Sequence, residues 1–237
     1  MFNNFEQGVL PLDFGDPVIK EKRAPSSKYK KLHTDNIYLS KGMKFTQKNE
    51  LPIVAPYNGY IPDKLIPFCD RNGKEGFVDF YIDDYKFIRV WNNAEYYAGV
   101  FKMEHRCLVA PDFSQYVDQS KALNIINLYK NRFLTAYWQM QGIPVIPSAS
   151  WGNAESFDYC FEGLPQHSVI FIGGVGIKHD KSSIRLWRYG IMELERQLHP
   201  TMILIYGNEV EPPQIETPIR CYNSFLSELK GGVKWAE

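Results

Sequence analysis

The residues best suited to chemistry follow four short apolar runs that are typical of buried strands, namely LVA, VIPSA, VIFI and MILIY. Ligands bind at the carboxyl ends of parallel strands, so we expect the loops after these runs to converge on one edge. The candidate catalytic residues in these loops are Asp112 and Glu155. The candidate ligand-binding residues are Ser114, Trp151, Asn153, Gly173, Gly174, Gly176, Lys178 and Asn208.

Asp112 is the first candidate because it follows a strand and Pro111, which fixes the local backbone. A carboxylate on such a rigid platform could act as a general base, a nucleophile or a metal ligand. The alternative is a structural aspartate that bonds nearby backbone amides in a turn. Glu155 and Asp158 lie three residues apart in a short predicted helix. They could share a cation or simply lie in its first turns.

Two of the loops could bind different parts of one ligand. Trp151 could stack a planar group such as a base or sugar, or it could fill the end of the core. The segment GGVGIKHDKSS joins a strand to a helix, and its backbone amides, together with Lys178, could hold an anion. Its first glycines stand at 173, 174 and 176, a spacing that matches neither a P-loop nor a dinucleotide-binding fingerprint.

Several catalytic and metal-binding signatures are missing from the sequence. The five histidines show no HxH or HExxH spacing, and no serine lies in GxSxG. Asp79, Asp83 and Asp84 form an acidic cluster that could ligate a divalent metal or lie solvated on a strand edge. No metal ligand is assigned, and the cofactor is left unknown, with a divalent metal as the one candidate.

Strand and helix patterns alternate from residue 76 onwards and predict an α/β fold. We expect a mainly parallel sheet with flanking helices, either an open doubly wound sheet or a partial TIM-like barrel. KFIRVW is predicted as a strand. Long helices are predicted after Ser120, through Leu123, Ile126, Phe133 and Tyr137, and after a cap at Ser182 or Ser183. Residues 1–75 are predicted to form an irregular N-terminal arm or cap, and residues 76–237 the α/β domain.

Composition limits the partners and the location. The 27 basic and 27 acidic side chains balance, which argues against a protein that coats duplex nucleic acid. The basic stretch Lys20–Lys31 could still contact nucleic acid. No apolar run reaches the length of a membrane helix, so no membrane is expected. Four scattered cysteines and an N-terminus without a signal-peptide pattern predict a cytoplasmic protein. The oligomeric state is left open.

Several motifs in order resemble an uncharacterised family of bacteria, phages and plasmids that is catalogued only as a domain of unknown function. The motifs are FYIDDYKF, APDFS, SWGNAESFDYCFEGLP and LHPTMILIYG. The resemblance covers roughly residues 76–207 and implies a cytosolic protein, often carried by mobile elements, with no established catalytic residues. The loop FIGGVG also resembles that of tRNA-guanine transglycosylases, but the cysteine-rich zinc cluster common in that family is missing.

Two functions from different classes fit these patterns. The favoured one is an enzyme whose strand-end pocket acts on a nucleotide, nucleobase or phosphosugar-like ligand. The alternative is a non-catalytic phage or plasmid protein that binds a host protein or single-stranded nucleic acid through aromatic side chains and the basic arm. The sequence does not decide whether the protein is an enzyme.

Overall fold

The computed structural model describes residues 34–70, 76–177 and 180–224. These residues form eight parallel strands: β1 (Leu65–Pro67), β2 (Phe77–Asp79), β3 (Leu108–Val109), β4 (Val145–Ile146), β5 (Ser148–Ala149), β6 (Val169–Gly173), β7 (Met202–Tyr206) and β8 (Ile219–Tyr222). The helices are α1 (Asp84–Asn92), α2 (Ala94–Met103), α3 (Lys121–Met140) and α4 (Lys181–Leu198). Two 3₁₀ segments are η1 (Thr34–Ser40) and η2 (Ala154–Asp158). The predicted α/β class is confirmed.

The strands form two parallel four-stranded sheets, in the orders β1-β2-β3-β4 and β5-β6-β7-β8. Only Pro147 separates β4 from β5, and a proline cannot donate a ladder hydrogen bond. The break between the sheets is therefore local, and the strands lie side by side in the order of the sequence. Such a progression with right-handed crossovers places the helices on one face, as in a barrel.

Side chains alternate between that helix-covered face and an interior shared by both sheets. In β7, Ile203 and Ile205 pack towards α4, whereas Leu204 and Tyr206 point into the interior. The interior also receives Phe77 from β2, and no residue of a described helix contributes to it. Tyr222 of β8 donates a hydrogen bond to Pro62 O at 2.6 Å, just before β1. The architecture is that of a partial barrel.

The structure confirms both long helices, corrects two details of them and overturns one predicted strand. KFIRVW was predicted as a strand but lies in α1, because Phe87, Val90 and Trp91 recur at helical spacing and are buried. Ser120 caps α3 as predicted, but Leu123 and Ile126 are exposed. The cap of α4 is Asp180, whose carboxylate accepts from Ser183 N at 2.8 Å.

The described part of the first 75 residues packs against the barrel. Val54 N donates to Gly163 O at 2.9 Å, and Tyr57 N donates to Ser168 Oγ at 2.9 Å. Strand β1 also lies before residue 76. The division into an arm over residues 1–75 and a domain over residues 76–237 remains a prediction. None of the helices in the described ranges combines the length and apolarity needed to cross a bilayer.

Candidate functional site

The loops after β3, β5 and β6 converge on a cavity of about 260 Å³ at the carboxyl ends of these strands. We call this cavity the strand-end cleft. Its walls include Asp112, Ser114, Gln115, Trp151, Gly173 and Trp187. A methyl group added at Gly173 would lie 3.7 Å from Asp112 Oδ2, which shows how closely the loops after β3 and β6 approach. Four of the candidate residues from the sequence therefore meet in one place: Asp112, Ser114, Trp151 and Gly173.

Asp112 is partly buried, and its Oδ1 atom is fully enclosed without a hydrogen-bond partner among the described residues. Burial, helped by the negative charge of Asp84, raises the pKa of the Asp112 carboxyl to about 7. The carboxylate of Asp84 is held in place by Ser114, which donates from its amide at 3.1 Å and from its hydroxyl at 2.8 Å. Asp112 can therefore both accept and release a proton near neutral pH.

A buried polar network on α3 fixes the backbone on which Asp112 stands. Asn131 Nδ2 donates to Pro111 O at 2.5 Å and to Ser148 Oγ at 2.8 Å. The guanidinium of Arg132 donates to Asn131 Oδ1 and to Ser148 O. The sequence analysis missed these two helix residues. Their signal was a pair of polar residues, Asn131 and Arg132, in the middle of the long predicted helix and directly before the apolar pair FL.

Tyr81 lies between Gly173 of the cleft wall and the barrel interior, since a methyl group added at Gly173 would lie 3.0 Å from Tyr81 Cε1. Its ring stacks on Tyr206, with centroids 4.9 Å apart, and lies 5.2 Å from the ring of Phe171. Its hydroxyl is buried and has no hydrogen-bond partner in the described part of the chain. Burial, with the charges of Asp112 and Asp79 as smaller causes, raises the pKa of Tyr81 well above its usual value. Tyr81 is therefore a neutral hydroxyl beneath the cleft, and the sequence analysis did not single it out.

Gln115 adds a second enclosed oxygen to the cleft lining. Its Nε2 donates to Asn124 O at 3.2 Å, which fixes the orientation of the amide. Its Oε1 is buried and finds no hydrogen-bond partner within the described ranges. The cleft lining therefore carries two enclosed oxygens without a hydrogen-bond partner in the described ranges, one on a carboxyl group and one on an amide.

Trp151 lines the cleft but also fills the space between η2 and α4. Its indole lies against the backbone of Gly190, with Phe157 and Phe161 at ring-centroid distances of 6.3 and 6.0 Å. Trp187 also lines the cleft, and its Nε1 donates to Gly173 O at 2.7 Å. The two indoles are thus held rigidly, whether or not a ligand stacks on them.

Five further candidates, all in the described part of the chain, do not line this cleft. Glu155 is exposed on η2, and the side chain of Asn153 caps η2 by accepting from Ser156 N at 3.1 Å. Asn208 Nδ2 donates to Asn223 Oδ1 at 2.8 Å. Gly174 pairs with β7, its amide donating to Tyr206 O, and Gly176 adopts a φ of 85°. Lys178 and the Lys20–Lys31 stretch lie outside the described residues.

The acidic cluster of the sequence does not come together. Asp79 is fully buried, Asp83 is exposed and pairs with Lys86 at 2.7 Å, and Asp84 is bound by Ser114. No group of three or more histidine, cysteine, aspartate or glutamate residues in the described ranges is arranged to hold a metal ion.

Comparison with known proteins finds one matching family and similarity to two phage proteins. A family described as a domain of unknown function, DUF4417, matches residues 44–223. The "Gene 1 protein" of Mycobacterium phage L5 is 38% identical over 169 residues, which span 71% of this chain and 71% of that protein. The "Gene 1 protein" of Mycobacterium phage D29 is 34% identical over 164 residues, spanning 67% of this chain and 60% of that protein. No solved structure matches the chain significantly.

Proposed function

The chain belongs to the DUF4417 family, and we propose that its strand-end cleft binds a planar ligand of the nucleobase or nucleotide type, with Asp112 as the acid–base group. The observation that carries this proposal is the Asp112 carboxyl, which has an enclosed, unpartnered oxygen and a pKa near 7 at the carboxyl end of the barrel. Buried polar atoms are normally hydrogen-bonded, so an exception in a cleft points to a ligand.

We infer the ligand type from the hydrogen-bonding groups that Asp112 and Gln115 present in the cleft. A protonated carboxyl donates one hydrogen bond and accepts others, and the Gln115 Oε1 atom accepts. The edge of a nucleobase presents donors and acceptors side by side, and proteins read such edges with short polar side chains while aromatic rings cover the base. Trp151 and Trp187 supply the aromatic walls of the cleft.

The support for an anionic group is weaker than the support for a base. The carboxylate of Asp180 already accepts from the Ser183 amide at the start of α4, where a phosphate would otherwise bind. A phosphate or phosphosugar would therefore depend on the loop at residues 174–177. The nucleobase is the part of the ligand that we place in the cleft, and the sugar or phosphate would extend towards this loop.

Asp112 would act by transferring a proton to or from a polar atom of the bound base. A carboxyl with a pKa near 7 is populated in both protonation states at neutral pH, which suits a general acid or base. The similarity to phage proteins supports a role in a mobile genetic element, and we place this activity in the cytoplasm of the host cell.

Asp112→Asn is expected to change how stability depends on pH. The unfolded chain releases this proton near pH 3.8, whereas the folded chain keeps it up to about pH 7. Between these values the folded state binds more protons, so the native chain should lose about 2–4 kcal/mol of unfolding free energy as the pH rises. The asparagine variant should lack this loss and be the more stable protein at pH 8. Urea unfolding at several pH values measures how the unfolding free energy of each protein depends on pH. The same pH dependence in the native chain and in Asp112→Asn would show that Asp112 is not the titrating group.

The proposed function itself is tested by ligand binding. Nucleobases, nucleosides and nucleoside monophosphates are titrated by calorimetry into the native chain and into the Asp112→Ala, Gln115→Ala and Glu216→Gln variants. We expect one base to bind, with affinity at least about tenfold weaker in the first two variants, since each loses a buried hydrogen bond. Glu216 is exposed and serves as the matched control.

The same titrations discriminate the alternative function. A short single-stranded oligonucleotide that binds while every monomer fails would favour the interaction protein. Tyr116 and Val117 at the rim of the cleft are 56% and 60% exposed and could contact such a strand. Base binding that is unaffected by Asp112→Ala and Gln115→Ala would contradict the proposed site.

A further inference from the structure

A second cavity of about 230 Å³ lies on the helix-covered side of the first sheet and shares no lining residue with the strand-end cleft. We call it the helix-side pocket. Its walls are Ile66 and Val78 from β1 and β2, Phe68, Arg89 of α1, and Tyr97 and Phe101 of α2. The walls are mostly apolar and aromatic, with a few charged groups, which is the composition of small-molecule sites in general.

Arg89 is the unusual group in this pocket. Its guanidinium carbon lies 4.9 Å from the ring centroid of Phe68, and its Nε is buried without a hydrogen-bond partner among the described residues. Arg106, on the same pocket wall, donates from Nε to Glu104 Oε2 at 3.0 Å. Glu104, a carboxylate in the pocket lining, is thus engaged by Arg106.

From this geometry we infer that the helix-side pocket binds a small molecule with a flat apolar body and a single anionic group. Leaving an arginine N–H buried and unsatisfied is costly, and the guanidinium fork matches a carboxylate better than any other common group. Phe68, Tyr97 and Phe101 would cover the flat body of the ligand. This inference is independent of the function proposed for the strand-end cleft.

The chain contains its own reporter for this pocket. Cys69 is exposed and lines the helix-side pocket, whereas Cys221 is exposed in a separate cavity beside β8. A ligand in the helix-side pocket should shield the first thiol and leave the second reactive. Cys221 is therefore an internal control for any general effect of the added compound on alkylation.

The experiment measures alkylation of both cysteines by iodoacetamide, using mass spectrometry, with 1-naphthoate as the probe. We expect 1-naphthoate to slow alkylation of Cys69 at least fivefold while the rate at Cys221 stays unchanged. The uncharged 1-naphthalenemethanol, which has the same body, should protect Cys69 much less. Equal Cys69 rates with and without 1-naphthoate, up to its solubility limit, would overturn the inference.

Two variants link any protection to the pocket. Arg89→Gln should weaken protection of Cys69 by 1-naphthoate about tenfold or more, because a charge-assisted hydrogen bond is lost. Val100→Phe keeps Arg89 but fills part of the cavity that Val100 lines, and it should also weaken protection. Thermal unfolding of both variants confirms that they are folded. Protection that survives both changes would place the probe elsewhere and refute the assignment.

Discussion

Replacing Arg132 with leucine is expected to lower the free energy of unfolding by about 3–5 kcal/mol, because three buried carbonyl oxygens lose a charged hydrogen-bond donor. Arg132 is fully buried on α3. Its Nε donates to Glu162 O at 3.3 Å, its NH1 to Ser148 O at 3.0 Å, and its NH2 to Cys160 O at 2.7 Å. Leucine would leave three backbone carbonyls without this donor in the interior.

The charge of Arg132 is part of this stabilisation. Burial lowers the pKa of the guanidinium to about 10, so the group remains protonated at neutral pH. Its partners are carbonyl and amide oxygens, which means that one cation holds together α3, β5 and the segment after η2. Arg132→Lys should be intermediate, because an ammonium keeps the charge but cannot span the same fork of acceptors.

Thermal unfolding checks the Arg132 prediction. For a domain of this size each kcal/mol moves the midpoint by about 2–4 °C, so Arg132→Leu should lower it by roughly 6–20 °C. Arg188→Leu is the matched control, since Arg188 makes one exposed bond from Nε to Glu211 O at 2.9 Å. That control should change stability by less than about 0.5 kcal/mol. Similar losses from both arginines would contradict a special role for the buried one.

The sequence predicted the fold well because strand and helix signals were local. The apolar runs VIFI and MILIY are strands β6 and β7, and both long helices begin and end near their capping residues. The strand prediction for KFIRVW was wrong because four of its six residues are β-branched or aromatic, and so short a run fits either period. Only the burial of Phe87, Val90 and Trp91 against other elements decides for a helix.

The sequence predicted only those residues of the candidate site that directly follow a strand. Asp112, Trp151 and Gly173 meet at the cleft because parallel strands bring their carboxyl ends together. Tyr81 and Asn131 were missed because their importance depends on tertiary contacts, namely ring stacking on Tyr206 and a hydrogen bond to Pro111 O. No local pattern in one sequence encodes those partners.

Gly190→Ala is expected to destabilise the native chain even though alanine is the better helix former. Gly190 lies within α4, and a methyl group there would lie 2.5 Å from Trp151 Nε1 and Cζ2. No real methyl group tolerates that distance, so the indole or the helix must shift. Overpacking of this kind costs about 1–3 kcal/mol, which exceeds the gain of about 0.5–1 kcal/mol in helix propensity.

Removing the indole should reverse the sign of the Gly190 effect. In a Trp151→Ala background the added methyl group has room, so Gly190→Ala should then stabilise the chain by about 0.5–1 kcal/mol. Gly99→Ala is the matched control, because Gly99 lies exposed within α2 and an added methyl group would meet nothing within 4 Å. It should stabilise the chain in both backgrounds.

A double-mutant cycle by urea unfolding measures the coupling between Gly190 and Trp151. We expect a coupling energy of about 2 kcal/mol or more, since the two residues are in direct contact. A Gly190→Ala change that is equally costly with and without the indole would mean that Trp151 is not what forbids the methyl group. Strong coupling would show instead that α4 fixes the position of Trp151. The wall of the strand-end cleft would then be set by a glycine on a helix that follows it in the sequence.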